Sequence, residues 1–164
     1  MTAETLTATG PKGSPPPRIS AAEYDRRITA LRNDMRRREL AAVILASPET
    51  IYHLLGLDHL GYFALTLLIV GQEGQPVLVA RQMEQHTLRI QVPQARHAAY
   101  ADGQDPARTA ARTVTELVPE GARVGVEEQS MFLPPAVLRR IQAALERHEL
   151  PARGLGLPFR LAGL

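Results

Sequence analysis

From Ile19 onward the apolar residues fall into short, separable rhythms. Tyr24, Ile28, Leu31 and Met35 recur at intervals of four, three and four, which lines one face of a helix and leaves Arg26, Arg27, Arg32 and Arg36–Arg38 outside or beside it. Ser20 and Glu23 have the spacing of a capping box, and Ile19 is placed to staple onto Tyr24 at the helix start. The run Ala41–Ala46 is continuously apolar and rich in β-branched residues, as expected of a strand covered on both faces. Ser47 then suits an N-cap, Pro48 the first helical position and Glu49 the positive end of the helix dipole. This predicts a short helix through Ile51–Leu55 that Gly56 ends.

The next apolar block, Tyr62–Val70, is expected to contain a second buried strand. Gly71–Gln75 supplies a turn, and Pro76–Ala80 returns as its antiparallel neighbour. Gln82–Leu88 reads as helical and His97–Tyr100 as a short strand. Asp105-Pro106 starts a helix whose inner face is Ala107, Ala110, Ala111, Val114 and Val118. Arg123–Glu127 alternates as a strand. Pro134-Pro135 opens a last helix with Val137, Leu138, Ile141, Ala144 and Leu145 inward, and Pro151 stops it. The alternation predicts an α/β domain with a mixed sheet of about five to six strands and helices on both faces. It spans residues 19–164 behind a tail, residues 1–18, whose glycines and prolines are read as disordered.

Composition agrees with a single globular domain: 164 residues, 45% hydrophobic, 22% charged. The formal net charge is only +2, too small for a dedicated nucleic-acid surface, and the arginine-rich first helix has no interleaved aromatics on which bases would stack. Its charges read as a solvated face, with Glu23 and Arg27 as a helical ion pair. Cysteine is absent, which removes disulfides, Cys-ligated metals and a cysteine nucleophile. No apolar stretch approaches the ~20 residues of a spanning helix, and the N-terminus lacks the pattern of a secretory signal. A cytoplasmic protein with no nucleic-acid or membrane partner is expected.

Candidate chemistry is sparse. His53, His59, His86, His97 and His148 are scattered, with neither H-E-x-x-H nor a helical pair four apart. Gly71 and Gly74 lie in a hairpin turn, where no phosphate cradle forms. Ser47 lies outside a G-x-S-x-G elbow and reads as a cap. Asp102 and Asp105 flank a helix start. Glu127 and Glu128 follow one another on a strand, where adjacent side chains point to opposite faces, so both carboxylate pairs read as structural.

The order of these features resembles the N-terminal domain of the creatinase, prolidase and aminopeptidase P family. It rests on the arginine-rich first helix, the strand Ala42–Leu45, the stretch SPETIYHLLGL from Ser47 to Leu57, the hairpin around Gly71–Gln75, and RVGVEE from Arg123 to Glu128. It covers roughly residues 22–151. The resemblance implies a chain without the family's C-terminal catalytic domain, in which two Asp, one His and two Glu hold two divalent metal ions. The aspartates here do not have the family's spacing, so no catalytic residue, metal ligand or cofactor is assigned to this chain.

The resemblance further implies assembly, as a homodimer with the catalytic domain of the same polypeptide, and a roof over an active-site cleft. The segment expected to approach that cleft is Asp58, His59, Tyr62 and Phe63. Creatinase-like members place an arginine where this chain has Leu65, which turns the expectation from creatine toward Xaa-Pro peptides. No family linker motif is visible in Ala152–Leu164, and a free-standing α/β module that binds a ligand or partner stands as the alternative.

Overall fold

Four apolar residues without a polar break, Ala42–Leu45, need neighbours on every side, and the fold is arranged to supply them. They form β1, the fourth strand of a six-stranded sheet ordered β4-β3-β2-β1-β5-β6. The computed structural model describes residues 19–58, 64–147 and 152–154. In chain order the elements are α1 (Ala21–Arg37), β1, α2 (Pro48–Leu55), β2 (Leu67–Gly71), β3 (Val77–Arg81), α3 (Gln85–Gln91), β4 (Arg96–Tyr100), α4 (Pro106–Leu117), β5 (Val124–Val126), α5 (Pro135–Glu146) and β6 (Ala152–Gly154). This is the mixed sheet expected, with β1 antiparallel to β2 (Val43 opposite Val70) and parallel to β5 (Val43 opposite Gly125).

Because successive strand residues face opposite ways, each strand feeds two cores. Ala42, Ile44, Leu67 and Ile69 pack with Ala110 and Val114 of α4 and with Ile141 and Leu145 of α5. Val43, Leu45, Leu68 and Val70 pack on the other face, with Leu31 and Met35 of α1 and Leu54 of α2. Ile44, Leu68 and Met35 are fully buried, and side chains of this kind contribute about 2 kcal/mol each on removal from water.

The helix starts follow the expected residues with one correction. Ser20 accepts the Glu23 N–H at 3.2 Å and Asp105 accepts that of Ala107 at 3.0 Å, both as caps. Ser47 occupies the N-cap of α2, but its hydroxyl donates to Glu49 at 2.9 Å and does not cap. The expected Gln82–Leu88 helix divides into a 3-10 turn, Gln82–Glu84, followed by α3. β6 was not marked by the residue pattern, since Ala-Arg-Gly carries no strand preference; its place comes from parallel pairing with β5. The tail over residues 1–18 and the stop at Pro151 lie outside the described residues.

Several arginines of α1 are engaged within the fold. Arg26 and Arg27 both donate to Glu23, and Arg37 to Asp34. Arg32 clamps the β2–β3 turn by donating to the carbonyls of Gly71 and Gly74. Hydrogen bonds from Arg26 and Arg27 hold the Glu23 carboxyl at about 2. Its folded-state value is therefore below its ordinary one, so its contribution to stability is present in full above the usual glutamate range and is lost as the pH falls through about 2. An NMR titration of Glu23 is expected to show a midpoint near 2. Glu23→Gln is expected to flatten the dependence of melting temperature on pH below 4.5.

Gly56 ends α2 with φ +79°, and a Cβ built there would overlap the Tyr24 hydroxyl and lie 2.7 Å from Tyr24 Cζ. Gly56→Ala is therefore expected to destabilise the fold by about 2 kcal/mol or more, from the left-handed backbone and the overlap together. Urea denaturation checks this, and adding Tyr24→Phe is expected to return part of the loss.

Candidate functional site

The residues with chemistry gather around α2 and the segment that follows it. At the N-terminal end of α2 the parallel register of β1 and β5 sets Ile44 opposite Val126, which brings Glu127 to the exit of β1. Its Oε2 accepts the N–H groups of Ala46 at 2.7 Å and Ser47 at 2.8 Å, and its Oε1 accepts the Thr50 hydroxyl at 3.1 Å. A full negative charge thus meets the positive end of the α2 dipole and takes up donors that no local side chain satisfies. In open α/β sheets the crevice outside the C-terminal ends of the strands is where ligands commonly bind. Here the protein's own carboxylate occupies it at β1 and β5.

The other end of α2 is closed by one local and two long-range donors. The Gly56 N–H donates to the Tyr52 carbonyl at 2.7 Å, Arg27 Nη1 to that of His53 at 2.7 Å, and Gln94 Nε2 to that of Leu55 at 2.9 Å. Burial and the neighbouring Arg27 charge both lower the pKa of the His53 ring.

The segment expected to roof a cleft leaves from this point. Asp58 is exposed, and its N–H donates to Gln91 Oε1 at 2.8 Å. His59, Tyr62 and Phe63 lie outside the described residues. On the far side, the Leu65 carbonyl accepts the Tyr100 hydroxyl at 2.7 Å. Both stems of the segment are therefore fixed, one to α3 and the other to β4. Beside the second stem Arg81 makes a two-pronged contact with Asp102, at 2.8 Å for each prong, which holds the Asp102 carboxyl below its ordinary range. Burial raises the Tyr100 phenol, and the Arg81 charge partly offsets it.

Glu127, Thr50, Gln91 and Tyr100 are the contributors that reading the residues did not single out as partners. What Glu127 holds depends on the β1–β5 register. The only signal was its position at the end of the alternating strand.

Among the described residues no three His, Asp or Glu side chains come together to hold a metal ion, so they do not fit a metal pair. Nor is any described helix long and apolar enough to cross a membrane. A shallow hollow at the opposite end of β1, lined by Arg36, Glu39, Leu40, Ala41, Gln72 and Glu73, is flanked by side chains already engaged: Arg36 with Asn33, and Glu39 with Arg123.

The Creatinase/Prolidase N-terminal domain family matches residues 27–153. Among solved structures, a recombinant prolidase from Thermococcus sibiricus matches with a TM-score of 0.67 at 18% identity, over 82% of this chain and 35% of that one. A dipeptidase, PepE, from Mycobacterium ulcerans matches with a TM-score of 0.60 at 23% identity, over 82% and 36%. A proline dipeptidase structure from Streptococcus agalactiae matches at 0.68 and 16% identity, over 85% of this chain and 98% of that one. The chain thus spans about a third of the first two proteins and nearly all of the third. No curated protein matches it significantly in sequence.

Tyr100→Phe removes the hydroxyl that fixes the second stem. It is expected to cost about 1 kcal/mol in urea denaturation, the usual net worth of one such hydrogen bond, with the far-UV circular dichroism unchanged.

Proposed function

Since the chain belongs to the creatinase/prolidase N-terminal domain family, we propose that it is the non-catalytic accessory domain of a metal-dependent peptidase acting on Xaa-Pro peptides. It contributes to oligomer assembly and gates access to the active-site cleft. The observation that carries the reading is the fold, which matches the prolidase structure over 82% of this chain. In this reading the reaction belongs to a catalytic domain of the same polypeptide, which holds two divalent metal ions, and the assembled enzyme is a cytoplasmic homodimer.

The arrangement around α2 supports a gating role. The segment containing Asp58, His59, Tyr62 and Phe63 is anchored at both stems by Gln91 and Tyr100, so a rigid scaffold presents it. The exposed side chains Met83 and Ile90, each 67% accessible, give the segment leading through α3 an apolar surface of the kind subunit contacts cover. The occupied crevice at Glu127 removes the customary ligand position of an open α/β sheet, which argues for a surface-contact role over small-molecule binding.

The purified 164-residue chain is expected to show no hydrolysis of Xaa-Pro dipeptides with added manganese, cobalt or zinc, and to dimerise in analytical ultracentrifugation. Metal-dependent turnover by this chain would overturn the non-catalytic reading. Immunodetection of the endogenous polypeptide gives a second test: a mass more than twice 18.0 kDa supports the accessory role, and a mass near 18.0 kDa would replace it with a free-standing binding module.

A further inference from the structure

The turn from β1 into α2 has the composition of an anion receptor, and its occupant is visible. Two consecutive backbone N–H groups, those of Ala46 and Ser47, converge on one oxygen of Glu127, while the Thr50 hydroxyl reaches the other. Ala46 is 1% exposed, so its donor is shut away from bulk water and has to be satisfied inside. The acceptor comes from a residue 81 positions further along the chain, just beyond the end of β5. It cannot be an ordinary helix cap, because the residue at the N-cap, Ser47, gives its hydroxyl to Glu49.

We propose that this turn is a carboxylate receptor with the Glu127 side chain as its resident ligand, and that Glu127 is thereby the positioning residue for α2. Both oxygens of the carboxylate are used, Oε2 by two backbone N–H groups and Oε1 by a hydroxyl. The chemical class the turn accepts is therefore a small carboxylate: formate or acetate fits once the glutamate side chain is gone, while chloride offers one centre in place of two. The inference stands apart from the gating role, and either can fail without the other.

Removing the side chain and supplying the ligand from solution tests it. In Glu127→Gly the Ala46 and Ser47 amides are expected to exchange about tenfold faster or more, and the melting temperature to fall. Sodium formate is expected to raise that melting temperature saturably and to slow both amides again. Sodium chloride at the same ionic strength has no such effect, and the parent chain does not respond to formate beyond its response to chloride. Equal responses of the variant to formate and chloride, or unchanged exchange in the variant, would overturn the proposal. If Glu127→Gly does not fold in plain buffer, refolding from urea becomes the measurement: recovery in formate but not in chloride supports the receptor, and failure in both overturns it.

Discussion

An eight-residue helix cannot hold itself together in water, because nucleation costs more than so few internal hydrogen bonds return. α2 is such a helix, and its persistence depends on what closes its ends. Glu127 from beyond β5 takes the N-terminal donors, while Arg27 from α1 and Gln94 from the α3–β4 connection take C-terminal carbonyls. These three residues come from three separate regions of the chain, so α2 is in place only when the sheet, α1 and the α3 region are all in place. Everything leaving α2, including the segment after Asp58, inherits its position from that closure.

This dependence separates what was readable in the residues from what was not. Hydrophobic period, together with cap, proline and turn residues, located the five helices and five of the strands. Met35 at the end of the α1 stripe and Ile141 in α5 are fully buried, where the pattern put them. Local chemistry was legible when both partners lie within a turn, as for Ser20 with Glu23 and Asp105 with Ala107. It misled at Ser47, whose hydroxyl donates to Glu49 in the first turn of α2 and accepts no backbone N–H.

The candidate site was legible to a lesser degree for the same reason. Asp58 could be placed on a loop after α2, but its anchor, Gln91, and the anchor of Leu65, Tyr100, come into range only once β3 and β4 are registered in parallel. Tyr100 reads in the sequence as the end of a strand with a buried ring, and its hydroxyl becomes informative only when Leu65 is seen opposite. The arginines of α1 show the converse. As a string they suggest a basic surface, yet Arg26, Arg27 and Arg37 meet carboxylates within one turn and Arg32 spans to the hairpin carbonyls.

These features together bear on where an accessory domain of this kind carries its recognition. In an open α/β sheet the crevice outside the carboxyl ends of the strands is where a ligand commonly binds. This chain closes the crevice at β1 and β5 with Glu127. It uses Tyr100 and Gln91 to fix the stems of one segment. Groups so engaged are removed from direct chemistry, and their net effect is rigidity at the base of that segment. Specificity in such an arrangement is carried by whatever the segment presents outward, with the sheet acting as the mount.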